Sequence, residues 1–425
     1  MDLRGKAIVA KYAWIGGKIG EEVAIEIDEK GVITNVGGIP SGEVLRLENE
    51  VLLPGFVNSH SHAFHRHLRG RSEIGRSAAD TFWKWRDNMY GLVADVDKDV
   101  IYRYCATTFR EMLAAGITSV GEFHYVHHAN NRFDLDGEVV RAAVDTGIRL
   151  VLLETLYEQA GFDAPPLHPV QERFVSSYDA FIQKIQELRR ENKHPRVSFG
   201  VAAHSARAVT FQNIKKLYNY AVAENLPFHI HLEEQPKEIA DCQKFLGKTQ
   251  GPSDILLTTL NLGEHFTGVH ATYTSAANMR ALASLGANVS ICPCTEGYLG
   301  DGIPQINEDL PISFGSDCNN RICMLEEMRW ACFSQQMRGN SRSVAALSAE
   351  KLLSAATEGG ARSLGLAAKV GDFQVGKYFD AVTLDLNSST LEGSNAATIV
   401  DALIFSCDNK EIRRVFVGGK QRNTF

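Results

Sequence analysis

Two histidines two residues apart, His60 and His62, follow an apolar run from Val51 to Val57. Strand side chains alternate between the two faces, so residues i and i+2 point the same way. The apolar run reads as a buried strand, and two imidazoles projecting together from its end would form one side of a metal chelate. Taken alone, a His-x-His is more often just two polar residues at a strand end. Its meaning therefore depends on ligands further along the chain, and on elements that could bring them together.

Helical patterns over 97–115, 175–191 and 211–224 are each followed by a short apolar strand. Strand-like runs at 56–58, 119–121, 150–153, 197–201, 228–231, 268–270, 288–291 and 312–315 make eight. Strands alternating with helices imply a parallel sheet with crossover helices. Eight such units over roughly 300 residues fit an α/β fold, the (β/α)8 TIM barrel. The first 50 residues instead read as short strands at 7–10, 23–27 and 32–36, between Gly, Asp and Lys turn signals. Residues 380–384 and 413–417 have the same character. The expected organisation is a barrel over 54–366 and a small β-sandwich domain built from both termini, 1–53 and 367–425.

In such a barrel the active site lies at the C-terminal ends of the strands. There the sequence offers His60 and His62, Glu122 to Tyr125, His204 to Arg207, His229 to Glu234, His270 and Asp317. Seven of the 14 histidines fall at these ends, which core packing does not explain, because histidine is only intermediate in its tendency to be buried. His60, His62 and His231 supply three neutral imidazoles and Asp317 a carboxylate, a first-row metal site with a position left for water. A metal lowers the pKa of bound water to about 7, so the chemistry expected is hydrolysis. Asp317 and His270 are placed to help deprotonate that water, His270 also to polarise the bond under attack. Glu234, beyond the strand end, suits a proton shuttle. Of the pair Glu233 and Glu234, one is expected to be only a solvated charge. His229 shares a strand face with His231 but is left out of the metal set. His124, His127 and His128 are expected at the surface or in a supporting role. Strand four carries His204 and no lysine, so one metal is expected, not a lysine-bridged pair.

The net charge of −7 argues against nucleic acid and offers no basic footprint for a membrane surface. There is no apolar run of about 18 residues and no signal-peptide pattern at the N-terminus, so a cytoplasmic protein is expected. The eight cysteines form no disulfide frame. Cys292 and Cys294 read as buried thiols of a reducing compartment.

The run Pro54 to His62, then His231 to Glu234, His270 and Gly315-Ser316-Asp317, resembles the metal-dependent amidohydrolase superfamily in its deaminase branch. The β-rich termini and the stretch from Gly371 to Ala381 match that family's small domain, and the resemblance covers essentially the whole chain. Four further strings, Thr81 to Tyr90, Glu122 to His128, His204 to Val209 and Glu234 to Cys242, look like those of the formimidoylglutamate deiminases. The resemblance implies hydrolysis of an N-formimidoyl group on L-glutamate to N-formyl-L-glutamate and ammonia. It also implies one zinc per subunit on His60, His62, His231 and Asp317, with Glu234 as acid/base, and a homodimer; such sites also accept iron or manganese. Tyr125, His204, Arg207 and Arg86 would contact substrate, Arg86 from its own subunit or across the dimer. Arginines suit a substrate with two carboxylates, because the guanidinium fork binds carboxylate bidentately.

The chain departs from that family at His65, where the family carries glutamine, and in Cys318 to Arg321 after the aspartate; both changes are expected in the pocket. They leave the reaction type standing. A different amidine, or a purine, pterin or triazine ring, is the alternative substrate.

Overall fold

The computed structural model describes residues 1–71, 82–343 and 347–422. Eight parallel strands form the barrel: β5 Phe56–Ser61, β6 Ile117–His124, β7 Arg149–Leu156, β8 Val197–Ser205, β9 Phe228–Leu232, β10 Phe266–His270, β11 Asn288–Ile291 and β12 Ile312–Phe314. They are hydrogen-bonded in simple sequence order from β5 to β12. Most are buried along their whole length, as expected of parallel strands covered on both faces. That is why they read in sequence as short apolar runs without alternation.

The ring closes between its first and last strands through a parallel bridge at Ser61 and Asp317. His62 N–H donates to Asp317 O at 3.0 Å, and Asp317 N–H to His60 O at 3.0 Å. The seam of the barrel is thus the same place where three of the expected ligands meet.

Strands β1 Ala7–Ile15, β2 Lys18–Ile27, β3 Ile33–Val36, β4 Val44–Pro54, β13 Ala381–Asp385, β14 Ile412–Val417 and β15 Lys420–Gln421 form a separate seven-stranded sheet. Its central neighbours β4 and β13 come from opposite ends of the chain. It has its own apolar core around Ile8, Ile25, Leu47, Phe379 and Phe416. β4 runs into β5 through Gly55, where an added Cβ would sit 2.2 Å from the side chain of Thr118. The two sheets are also tied by Arg149 at the start of β7. It binds Asp380 through Nε at 2.8 Å and Nη2 at 3.0 Å, with both side chains buried. Breaking a buried pair by removing one partner costs about 3–5 kcal/mol, so this bond fixes the small sheet on the barrel.

The helices Lys98–Ala114, Tyr178–Glu191 and Phe211–Ala223 fall within the predicted spans. The first is capped by Asp97, which accepts from Val100 N–H at 2.8 Å. Further helices include Met324–Gly339, after β12, and Ile399–Ser406, within the C-terminal segment expected to be β. The former buries Met324, Leu325 and Met328 yet exposes Trp330, Phe333 and Met337, so it shows no single apolar stripe to read. Among the described residues no helix is long and apolar enough to cross a membrane, and all eight cysteines are unpaired.

Candidate active site

At the C-terminal mouth of the barrel, His60 and His62 from β5, His231 from β9 and Asp317 beyond β12 converge. His60 Nε2 and His62 Nε2 each lie 3.3 Å from His231 Nε2. Asp317 Oδ1 lies 3.5 Å from His60 Nε2 and 3.4 Å from His62 Nε2. Donor atoms held about 2.0–2.1 Å from one tetrahedral ion are roughly 3.3–3.4 Å apart, so these four separations are close to those of donors sharing one ion.

The protonation pattern fits as well. His62 Nδ1 faces Phe123 O at 2.9 Å and His231 Nδ1 faces His204 O at 2.9 Å. Each Nδ1 therefore carries the proton and each Nε2 presents its lone pair inward. Burial holds all three imidazoles neutral, drawing His60 down to about 3 and lowering His62 and His231. Burial also works to raise the Asp317 carboxyl, but His60, His270 and His62 hold it well below the usual carboxylate range. Inward lone pairs and a carboxylate repel one another, and a divalent cation is what satisfies them.

The backbone around these donors is strained and pinned. His270 and Asp317 have φ of +68° and +39°, a region that costs non-glycine residues energy and clusters at functional sites. Gly315, just before, has no room for a side chain, since an added Cβ would lie 2.7 Å from the Cβ of His60. Asn319 amide Nδ2 donates to Ser61 Oγ at 3.0 Å, His62 O at 3.0 Å and Asp317 O at 2.9 Å. Ser316 Oγ donates to Asn319 Oδ1 at 2.6 Å, and Ser316 N–H to Asn58 Oδ1 at 3.0 Å. On the other side, Glu122 accepts from Ala63 N–H at 2.6 Å. None of Asn58, Ser316, Asn319 and Glu122 was assigned a role from sequence, although Asn58 and Ser316 lie within the strings that carry the ligands.

Next to the donors, His270 Nε2 lies 3.7 Å from Glu234 Oε1 and 3.8 Å from Asp317 Oδ2, and its Nδ1 lies 3.4 Å from Glu296 Oε1. Burial pulls His270 down, but the surrounding carboxylates of Glu234, Glu296 and Asp317 win and raise it to about 10. Burial raises Glu234 against the pull of His270.

A cavity of about 670 Å³ opens onto this cluster. Every substrate-contact residue expected from sequence, His65, Arg86, Tyr125, His204 and Arg207, lines it together with Glu234, His270 and Asp317. Arg86 reaches it from the helix Phe82–Val93 of the same chain; Thr81 and the side chain of Trp83, in the same string, lie outside the described residues. His65 Nε2 is 3.0 Å from Tyr125 Oη, and its Nδ1 is buried with no hydrogen-bond partner among the described residues.

Several expectations are corrected. Neither Glu233 nor Glu234 is solvated, for both are buried. Glu233 accepts from Ser253 N–H at 2.9 Å and Oγ at 2.8 Å and from Thr274 Oγ1 at 2.7 Å, so its charge is satisfied internally. His124, His127 and His128, expected at the surface or in a supporting role, are buried, so only the surface alternative falls. His124 Nε2 and His127 Nδ1 lie 3.1 and 3.0 Å from Asp136 Oδ1, and His127 Nδ1 lies 3.2 Å from Glu154 Oε1. Burial opposes the charged form of His127, but Asp136 and Glu154 raise it to about 10. His229, left out of the metal set on sequence grounds, has its Nε2 2.9 Å from Ser363 O. Of Cys318 to Arg321 only Cys318 lines the cavity; Arg321 is at the surface, paired with Glu326 and Asp408.

A barrel with such a donor set at its mouth defines a metal-dependent hydrolase, and sequence comparison agrees. Residues 51–422 match the amidohydrolase family, and the chain belongs to it. It is a deaminase of that family, a hydrolase acting on non-peptide carbon–nitrogen bonds. It is 33% identical to formimidoylglutamate deiminase of Pseudomonas aeruginosa, over 97% of this chain and 94% of that protein. It is 26% identical to 5-methylthioadenosine/S-adenosylhomocysteine deaminase of Pyrococcus furiosus, over 92% of this chain and 88% of that one. The crystal structure of an amidohydrolase from Brucella melitensis superposes with a TM-score of 0.87 at 29% identity, covering 98% of this chain and 94% of that one.

Proposed function

We propose that the chain hydrolyses N-formimidoyl-L-glutamate to N-formyl-L-glutamate and ammonia. The observation that carries the reading is the presence of Arg86 and Arg207 in the same cavity as Glu234, His270 and the metal donors. A dicarboxylate needs cationic partners of this kind, whereas an uncharged purine does not. The 33% identity to a formimidoylglutamate deiminase supports the same substrate.

His60, His62, His231 and Asp317 would hold a zinc ion, whose chemistry when bound would be to make hydroxide available at neutral pH. The protein's own groups do the rest. Arg207 and Arg86 bind the glutamate carboxylates and so place the C=N carbon at the donor cluster. Glu234, whose carboxyl burial raises, is placed to give a proton to the terminal nitrogen, then to take the proton of the attacking oxygen and pass it to the same nitrogen, so that the C–N bond breaks with loss of ammonia as the formyl C=O forms. His270, set between Glu234, Glu296 and Asp317, is placed to donate a hydrogen bond to the negative charge that develops beside it. Trp85, Tyr90 and Phe174 wall the cavity and exclude bulk water.

Those aromatic walls, with Tyr125 and Tyr157, also favour a second reading, deamination of a stacked purine. Arg207→Ala separates the two. Removing one partner of a buried charge pair costs about 2–5 kcal/mol, so kcat/KM for formimidoylglutamate should fall at least about 30-fold. Unchanged turnover of that amidine by the variant, or equal use of 5′-methylthioadenosine by wild type, favours the purine reading.

A further inference from the structure

We propose that Glu238 is a positioning residue for substrate binding, its buried carboxylate holding the guanidinium of Arg207 in the attitude that meets a substrate carboxylate. The inference rests on the reading of Arg207 as the anion anchor. Glu238 lies in the first turn of the helix Pro236–Leu246, four residues beyond Glu234. Its side chain is fully buried. Its Oε1 is 3.7 Å from Arg207 Nε, and neither carboxylate oxygen has a hydrogen-bond partner among the described residues.

A sequestered carboxylate without hydrogen bonds is costly, and the nearby arginine is what compensates it. Arg207 in turn stands at the junction of two basins. It lines the reaction cavity, and it lines a shallower outer basin bordered by Asp163, Lys237 and Lys244. A long arginine stem at such a junction has more than one place to put its charge, and an anion fixed against its Nε edge restricts the choice. Glu238 itself does not line the reaction cavity, so it acts through Arg207 and not on substrate. The charges facing it fit this role. Burial pushes its carboxyl up to about 7 and the Glu233 and Glu234 charges add to that, while Arg207 pulls it down, with a smaller pull from the Glu234 backbone, so contact with Arg207 is the main influence favouring the ionised form.

The test compares wild type, Glu238→Gln and Glu238→Asp. Binding of glutarate, an unreactive dicarboxylate, is measured by calorimetry, alongside steady-state kinetics on N-formimidoyl-L-glutamate and thermal melting. Loss of one oriented charge-assisted contact corresponds to about tenfold in Kd. Glu238→Gln should weaken glutarate by about that factor and raise KM similarly, while kcat falls by less than about threefold. Glu238→Asp, which keeps the charge, should recover part of the affinity, and carries the test if the glutamine variant does not fold. Equal glutarate affinity in wild type and the folded variants overturns the inference, as does a wild type that does not bind glutarate. Wild type that binds glutarate but releases no ammonia from the amidine overturns the substrate assignment alone.

Discussion

Glu234→Gln should lower kcat by about 10²–10⁴-fold, the usual contribution of a positioned acid/base group, while metal content stays at the wild-type level. The carboxyl is buried beside His270, at 3.7 Å, and outside the ring of four donors. Glutamine fills the same space and cannot deliver a proton to the leaving nitrogen. The KM for the amidine should change little, since binding is assigned to the arginines. Steady-state ammonia release with parallel elemental analysis checks this. Loss of metal together with activity would move Glu234 into the donor set, and full activity would leave the proton donor unassigned.

The second large effect is expected at the donors themselves. His231 is the imidazole that both His60 and His62 face at 3.3 Å, so His231→Ala removes the shared corner of the shell. Bound metal should fall below stoichiometric, and turnover by at least about 10⁴-fold, because water without a metal has a pKa of 15.7 instead of about 7. Chelation of the wild type should have the same effect on activity and be reversed by adding zinc. The chelated protein should also melt at a lower temperature, since a ligand that binds only the folded state stabilises it by mass action. Calorimetry and metal analysis read these outcomes. A His231→Ala protein that keeps a full equivalent of metal would disprove the assigned ligand set.

The convergence of the candidate metal donors was legible because strand periodicity is rigid. A two-residue spacing at the end of an apolar run puts both side chains on one face, so His60 and His62 gained meaning once other strand ends supplied partners. His231, His270 and Asp317 followed from the same strand ends. The supporting carboxylates were not legible for the opposite reason. Glu122, Glu233, Glu238 and Glu296 are all buried, and a buried acid is rare enough that composition alone assigns it to solvent. What satisfies Glu233 is the hydroxyls of Ser253 and Thr274, 20 and 41 residues away, a distance over which no local pattern operates. Asn319 was similarly hidden: its neighbourhood looked like part of the pocket, but its amide pins the backbone beneath the donors. The supporting role of His124 and His127 could not be told from a surface one because their partners, Asp136 and Glu154, sit on a helix and a strand further along the chain.

His65, expected to stand where the resembling family carries glutamine, lines the cavity with its Nε2 3.0 Å from Tyr125 Oη. The reading still places two arginines and an acid/base carboxyl around one donor cluster, and that is a claim about substrate. Its most direct test is incubation of the zinc-loaded wild-type protein with N-formimidoyl-L-glutamate, with ammonia and the organic product both quantified. The account predicts one ammonia per N-formyl-L-glutamate formed. Absence of ammonia from this substrate, with release from 5′-methylthioadenosine, guanine or cytosine under the same conditions, would contradict it.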